Sequence, residues 1–140
     1  MDREILFKAK TEMIVGTYNC GKDDGEWVKG HLYCDTGKWI IRQFEYDRAN
    51  YVSYEVNPDT ICQFTGYIHN EDRKWEGDIF EASDGEYIHR YIIQWNENDL
   101  QWYAVCPYNS ENDLPLCEFK PSEIDVVGNV FDNQELLKAP

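Results

Sequence analysis

The stretch Tyr87-Ile88-His89-Arg90-Tyr91-Ile92-Ile93-Gln94-Trp95, with Leu100-Gln101-Trp102-Tyr103-Ala104-Val105 after four polar residues, indicates the fold most clearly. Both runs are rich in β-branched and aromatic residues, which pack well on a pleated sheet. The intervening Asn96–Asp99 has the length and composition of a hairpin loop. We therefore predict a β-hairpin here, in which Leu100 begins the second strand and shares a face with Trp102.

Turn signals recur at short intervals along the rest of the chain and divide it into further short strands. These signals are Gly21–Gly25, Asp35–Lys38, Asn57–Thr60 and Ser83–Gly85. The segments between them that we predict as strands are Trp27–Tyr33, Trp39–Tyr46 and Tyr51–Val56. In the first of these strands, alternation places Trp27, Lys29, His31 and Tyr33 on one face, and Val28, Gly30 and Leu32 on the other.

The composition favours the same fold class. The chain has ten Tyr, six Phe and five Trp, and aromatic residues are favoured in strands. We expect a mainly β fold (β-rich α+β) in a single domain over residues 1–140, with helix limited to single turns at 121–124 and 133–137. Possible sub-parts are an N-terminal sheet at 1–68 and a C-terminal part at 73–132. Each is small enough that we expect one shared core.

The charge balance disfavours two classes of partner. With 27 acidic and 13 basic residues, the formal net charge is −14. Phosphate backbones and anionic membranes bind proteins through clustered Lys and Arg, so we expect neither direct nucleic-acid binding nor membrane binding. The N-terminal residues lack the basic and apolar segments of a secretory signal. We therefore expect a cytoplasmic location, with the five cysteines present as free thiols.

Three segments, in order along nearly the whole chain, resemble motifs of the YopX family. They are Val56–Gly66, Trp75–Phe80 and Val126–Asn133. The motif residues that carry the resemblance are Gln63, Phe64, Thr65, Gly66, Trp75, Glu76, Gly77, Asp78, Ile79, Gly128 and Asn129. One departure from the family pattern is that Tyr67–Lys74 has no glycine in its turn.

The resemblance implies a protein encoded by a phage or prophage and made in the cytoplasm of a bacterial host. It also implies a small irregular β-sheet in the N-terminal part, packed on an SH3-like β-barrel in the C-terminal part. The family has no established biochemical activity, so the resemblance assigns no catalytic residue, metal or cofactor to this chain.

Glu76-Gly77-Asp78 is the most suggestive site for chemistry. Two carboxylates beside a glycine can share a proton or help to hold a divalent cation. Because magnesium and calcium need more oxygen ligands than this motif offers, we favour a structural interpretation. In that interpretation the glycine forms a tight turn, and the Asp78 carboxylate accepts hydrogen bonds from neighbouring amides.

Zinc binding and nucleophilic catalysis are weaker possibilities. Zinc could bind Cys20, His31 and Cys34, with a fourth ligand from Cys62, His69 or His89, but this spacing is not a recognised zinc pattern. Buried, inert thiols explain the cysteines better. A Cys–His nucleophilic pair depends on spatial proximity, which sequence alone does not reveal.

Two polar and aromatic sets remain as binding candidates. Gln63, Thr65 and Gly66 could form a ligand-facing ledge, although buried bonds that tie the two halves together are the favoured interpretation. An aromatic set could stack on single-stranded nucleic acid, but its neighbouring cations are balanced by acidic residues. Core packing or a self-association surface is favoured for this set, which comprises Trp27, Tyr33, Trp39, Phe44, Tyr46, Tyr51 and Tyr54.

From these observations the leading expectation is a non-enzymatic module that binds a protein partner or a second copy of itself. One alternative is an acidic DNA mimic that antagonises a nucleic-acid-binding protein of the host. A further alternative is a cryptic hydrolase built from carboxylates that are distant in sequence. For such an interaction module, the sequence predicts no catalytic, cofactor-binding or metal-binding residue.

Overall fold

Antiparallel strands account for the regular structure of this chain in a computed structural model, which describes residues 4–12 and 22–139. The chain divides into two units, Met1–Phe64 and Thr65–Pro140. Within the described residues, all helical segments are 3-10 turns of three or four residues. The predicted mainly β class is therefore confirmed, and its helical component is limited to these turns.

The first unit contains a sheet whose strands run in the order β4-β3-β2-β1-β5. All of its recorded pairings are antiparallel. The predicted strands are confirmed with small shifts at their ends. Their bounds are β1 Phe7–Lys10, β2 Trp27–Asp35, β3 Lys38–Glu45 and β4 Asn50–Glu55, while β5 Cys62–His69 begins in this unit.

One face of this sheet forms the core of the first unit. The pairing places Leu32 opposite Ile41, and Ile41 opposite Tyr54. Alternation along each strand then brings every second side chain to the same side. The buried residues of this cluster are Ala9, Val28, Ile41, Val52, Tyr54 and Val56. The predicted division of β2 into an inner face with Val28 and Leu32 and an outer face with Lys29 and His31 is confirmed.

The second unit begins within β5, which turns at Asn70–Glu71 into β6 Asp72–Trp75. The remaining strands form a five-stranded sheet in the order β10-β9-β8-β7-β11, in which each recorded pair is antiparallel. Their bounds are β7 Asp78–Ser83, β8 Ile88–Asn96, β9 Gln101–Val105, β10 Leu114–Pro115 and β11 Asp125–Asn129.

The hairpin predicted from residues 87–105 is confirmed as β8 and β9. Trp95 lies opposite Trp102, with their ring centroids 5.2 Å apart in an edge-on arrangement. The predicted place of Leu100 is wrong, since this residue belongs to the loop and is 72% exposed. Its φ of +54° is a left-handed turn conformation rather than the extended conformation of a strand.

The core of the second unit lies on one face of its sheet. Ile93 lies directly opposite Ala104, and neither side chain has measurable exposure. Aromatic rings extend this core, with the Phe80 and Tyr91 centroids 5.3 Å apart. The buried members of the cluster are Phe80, Tyr91, Ile93, Ala104, Cys106, Leu116 and Ile124.

The SH3-like barrel expected for the C-terminal part is not closed among residues 65–139. The five-stranded sheet ends at β10 on one side and β11 on the other, and no pairing joins these two edges. β10 has only two residues, and one of them is Pro115. Proline has no amide hydrogen to donate, so it cannot support a further strand on that edge.

Candidate functional site

The outer face of the N-terminal sheet combines cationic and aromatic side chains. Cross-strand pairing places Lys10 opposite Trp27, and Phe44 opposite Tyr51. Because side chains alternate along each strand, the residues that share this face follow directly from the register. The outer-face set comprises Lys8, Lys10, Trp27, Lys29, His31, Tyr33, Asp35, Lys38, Ile40, Arg42, Phe44, Tyr51, Ser53 and Glu55.

Cations lie directly over aromatic rings at two places on this face. The Lys8 and Lys10 ammonium groups lie 4.7 and 5.5 Å from the centre of the Trp27 ring. The Arg42 guanidinium lies 4.7 Å from the centre of the Tyr51 ring. These contacts are cation–π interactions, in which an aromatic ring attracts the positive charge that lies over its face.

Three aromatic rings cluster at the end of β3. Phe44 contacts Tyr46 at 4.9 Å and Tyr51 at 5.2 Å between ring centroids, both edge-on. Their exposed fractions are 39%, 88% and 48% for Phe44, Tyr46 and Tyr51. This aromatic trio is therefore accessible rather than part of the core, which leaves ring surface free for contact with another molecule.

A concavity of about 560 Å³ lies at this part of the sheet. Its volume is within the range of small-molecule binding clefts, about 300–1,000 Å³. Glu45 is the one acidic residue among those that line it, and its carboxylate accepts hydrogen bonds from the Tyr54 hydroxyl and the Gln43 amide. The lining comprises Leu6, Lys29, Gly30, His31, Arg42, Gln43, Phe44, Glu45, Tyr46 and Tyr51.

Gly30 allows the strands around the concavity to approach closely. A Cβ atom at this position would lie 2.1 Å from the Arg42 carbonyl oxygen, which is far inside van der Waals contact. Next to it, the Lys29 amide donates to the Gln43 side-chain oxygen at 3.0 Å. The glycine and this side-chain bond therefore position Lys29 and Arg42 on neighbouring strands.

Basic groups lie directly opposite each other across the strands of this face. Lys8 lies opposite Lys29, and His31 lies opposite Arg42. Among the side chains that the structure describes, which do not include that of Asp47, no carboxylate lies within 4.0 Å of the Lys29 ammonium or the Arg42 guanidinium. These two cations can therefore contact a bound anion.

The negative charge of the chain is unevenly distributed. Residues 1–64 contain 11 acidic and 8 basic residues, whereas residues 65–140 contain 16 acidic and 5 basic residues. The net charges are therefore −3 and −11. Five of the basic residues in the first segment, Lys8, Lys10, Lys29, Lys38 and Arg42, lie on β1, β2 and β3. Lys38 lies 3.5 Å from the Glu55 carboxylate, so the other four form the cationic part of the face.

Glu76-Gly77-Asp78 forms the tight turn between β6 and β7. Asp78 is 5% exposed, and its carboxylate accepts a hydrogen bond from the Trp75 amide at 2.8 Å. Gly77 has a φ of +85° and donates its amide hydrogen to the Ile93 carbonyl. These contacts match the structural interpretation of the motif, in which Asp78 satisfies a backbone donor.

The third family-like motif, Val126–Asn133, lies next to this turn, because β11 pairs with β7. Gly128 lies opposite Ile79, and Asn129 lies opposite Asp78. The Asn129 side-chain oxygen accepts from the amides of Phe131 and Asp132, each at 2.9 Å. Two segments that resemble the family pattern therefore meet in one β-ladder and its turns.

Gln63, Phe64, Thr65 and Gly66 lie along β5. Gln63 lies opposite Phe7, and Phe64 is buried with its amide bonded to the Leu6 carbonyl. The Thr65 hydroxyl donates to the Lys74 carbonyl at 2.7 Å and accepts from the Tyr67 amide. Thr65 thus ties β5 to β6.

The cysteine and histidine candidates are dispersed. No group of three or more His, Cys, Asp or Glu side chains arranged to hold a metal occurs in the described part of the chain; Cys20 lies outside it. Cys62 is buried but Cys34 is exposed, so the interpretation of Cys34 as a buried thiol is wrong; Cys106 is buried and Cys117 is exposed. Cys62 donates to the Thr60 carbonyl.

His89 is held by polar side chains of the second unit. Its Nε2 lies 2.8 Å from an Asp84 carboxylate oxygen, and its Nδ1 lies 3.4 Å from the Asn112 amide nitrogen. The Asp84 carboxylate also accepts from the Tyr87 and Glu86 amides. These bonds lower the pKa of Asp84 to about 2, with the Tyr87 amide as the largest cause. Asp84 therefore stays ionised and orients the imidazole.

The aromatic set of the sequence analysis is divided by the structure. Tyr54 is a core residue with 1% exposure, whereas Phe44, Tyr46 and Tyr51 remain accessible. Sequence reasoning missed Lys8 and Lys10 as neighbours of the aromatic rings. The alternation of apolar residues and lysines in Phe7-Lys8-Ala9-Lys10 would have predicted their shared face.

Comparison with known proteins identifies the family. A family model described as YopX protein matches residues 20–138, which is most of the chain. No curated protein matches the sequence. The described residues include no helix with the length and apolar character needed to span a membrane. The match covers the segments around Thr65, Gly77 and Asn129 that resemble the family pattern, and the chain therefore belongs to the YopX family.

Proposed function

We propose that this chain is a non-enzymatic interaction module that binds a macromolecular partner through the outer face of its N-terminal sheet. The observation that carries the proposal is the accessible aromatic trio of Phe44, Tyr46 and Tyr51 beside Arg42. Tyr, Trp and Arg are enriched at the centres of binding interfaces. Together with the concavity of about 560 Å³, the trio forms a shaped surface rather than a set of scattered apolar residues.

The setting that we propose is an accessory role in the cytoplasm of a bacterial host, with the chain encoded by a phage or prophage. This setting follows from what the YopX family implies. A partner already present in the host, or a second copy of this chain, fits such a role, since an interaction module needs no substrate or cofactor of its own.

Site-specific photo-crosslinking tests the proposal inside bacterial cells. A photo-crosslinking phenylalanine analogue replaces Tyr46, which is 88% exposed, and in a matched control it replaces Tyr87, which is 63% exposed in the second unit. We expect an adduct larger than the chain from position 46 and none from position 87. Equal labelling at the two positions, or no adduct at position 46, would contradict the proposal.

A second candidate function is that of an acidic antagonist of a nucleic-acid-binding protein. The net charge of −11 over residues 65–140 favours it, because a concentrated negative charge can compete with phosphates for a basic site. An excess of the chain should then displace duplex DNA from a basic host protein in a gel-shift assay. Lack of competition at low salt, where such attraction is strongest, would eliminate this candidate.

A further inference from the structure

We propose that the outer face of the N-terminal sheet binds single-stranded nucleic acid, with bases stacked on its aromatic rings and phosphates placed against its lysines and arginine. This inference rests on the proposed function, because it names the partner of the same surface. It replaces the expectation, based on the net charge of the whole chain, that the protein does not bind nucleic acid directly. That expectation treated the cations and carboxylates as evenly mixed.

The aromatic residues provide stacking surfaces in two groups along one end of the face, because β2 and β3 run antiparallel. Trp27 lies at the start of β2, while Phe44 and Tyr51 lie opposite each other where β3 ends and β4 begins. Tyr46 extends this second group with a ring that is 88% exposed. Sequence-tolerant binding of single strands uses rings spaced in this way, because every base has a flat face that can stack.

The cations lie next to these two aromatic groups, on β1, β2 and β3. Lys8 and Lys29 form one opposed pair across β1 and β2, and His31 and Arg42 form the next opposed pair across β2 and β3. In a single strand, a phosphate accompanies every base. A backbone that runs from one ring group to the other would therefore place its negative charges near Lys29 and Arg42.

The concavity provides a site for one nucleotide within this path. Its lining combines the three rings of the trio with Lys29, His31 and Arg42. The carboxylate of Glu45, which would repel a phosphate, is engaged with Tyr54 and Gln43. A partner protein with a flat surface would leave this cleft of about 560 Å³ empty. A base with its sugar and phosphate can extend into it.

The net charge of −14 does not prevent this binding. Residues 65–140 carry −11 of it, so the segment that contains the sheet face carries only −3. At physiological ionic strength, charges separated by more than about 8 Å are largely screened. The local cations therefore determine contacts with a phosphate at the face.

Fluorescence anisotropy on the full chain, with labelled oligothymidylates in deoxy and ribo forms, tests the proposal. The oligomers have about 15 nucleotides, because single-strand sites on small β domains cover about 4–16 nucleotides. We expect saturable binding at low salt that weakens as salt increases. Tyr46→Ala should weaken it about tenfold, which corresponds to the loss of one stacked base. Lys29→Gln should reduce the magnitude of the salt slope by about 0.7, as expected for the loss of one phosphate contact.

Two matched variants in the second unit provide controls. Tyr87→Ala removes an exposed aromatic ring, and Lys138→Gln removes an exposed cation. Neither should change the affinity by more than about twofold, since surface substitutions away from a site have effects within about 0.5 kcal/mol. Equal losses in these controls and in Tyr46→Ala would overturn the proposal, as would the absence of saturable binding to both oligomers.

Other occupants of the face give different results. Duplex DNA that binds more tightly than the single strand would overturn the proposal, because paired bases cannot stack on the rings. Light scattering that shows an oligomer dissolved by Tyr46→Ala would assign the face to a second copy of the chain. A protein adduct at position 46 without oligonucleotide binding would also overturn this proposal, yet it would leave the proposed interaction module intact.

Discussion

Lys8 on β1 and Lys29 on β2 lie directly opposite each other on the outer face of the N-terminal sheet. Side chains in such cross-strand positions have Cβ atoms about 5 Å apart, and like charges there destabilise the sheet. We expect Lys29→Glu to increase the free energy of unfolding by about 0.5 kcal/mol, because it converts a repulsive pair into an attractive one. Urea unfolding monitored by tryptophan fluorescence measures this change.

The same substitution should abolish binding of the oligothymidylate, so that stability and binding change in opposite directions. Lys138→Glu alters the net charge by the same amount at an exposed site near the C-terminus. It therefore separates the effect of the facing Lys8 from the effect of the change in net charge. If both variants gave the same change in stability, the repulsion between Lys8 and Lys29 would not be the cause.

Gly30→Ala should destabilise the first unit by about 2–3 kcal/mol, the effect of a severe overpacking. The added Cβ would lie 2.1 Å from the Arg42 carbonyl oxygen, and backbone atoms cannot move aside as a side chain can. Gly25→Ala is the matched control, since Gly25 also has a positive φ but has no atom within 4 Å of the added Cβ. If thermal unfolding showed equal losses of stability for the two variants, conformational strain rather than crowding would be the cause of the loss at Gly30.

Glu71→Gly should stabilise the protein by about 0.5–1 kcal/mol. Asn70 and Glu71 both have positive φ values, 51° and 66°, at the turn between β5 and β6. A two-residue turn with two positive φ values favours glycine at its second position, because a Cβ is strained there. Glu86→Gly provides the comparison, since Glu86 is exposed and has no positive φ; there we expect no gain in the melting temperature.

Acidification should weaken the second unit through Asp84. Its pKa is lowered from 3.8 to about 2 by the Tyr87 amide, the His89 ring and the Glu86 amide, in that order of size. A carboxyl whose pKa is lower in the folded state contributes stability above pH 3.8, and this contribution is lost as the pH falls towards 2. Asp84→Asn should remove this part of the pH dependence in urea unfolding between pH 5 and pH 2, and a wild-type titration midpoint near 4 by NMR would contradict it.

The sequence predicted most strands because alternation and turn chemistry are local properties. Trp27–Tyr33 alternates polar and apolar residues, and Asp35–Lys38 contains the glycine that its turn requires. Leu100 was misplaced because a left-handed loop residue has no distinctive side chain, and apolar character alone suggested a strand. The open edge at Pro115 was also not predicted, since barrel closure depends on contacts between strands that are distant in sequence.

The candidate site was only partly predictable, because it depends on which strands become neighbours. The sequence provided Trp27 and the aromatic residues of β3 and β4, and it correctly placed Lys29 and His31 on one face. It did not reveal that β1 pairs with β2, so the approach of Lys8 and Lys10 to Trp27 was missed. Whole-chain charge was misleading for the same reason, since it contains no information on which residues share a surface.

Asp78→Ala should cost about 1–3 kcal/mol in the free energy of unfolding, because it leaves the buried Trp75 amide without its carboxylate acceptor. Asp78→Asn keeps an oxygen that can accept this hydrogen bond, and it should therefore lose less than half as much. Asp125→Ala, an exposed aspartate at the start of β11, should remain within about 0.5 kcal/mol of the wild type. If Asp78→Ala also left the oligothymidylate affinity unchanged after correction for folding, the family motif would be structural and the outer face would carry the binding.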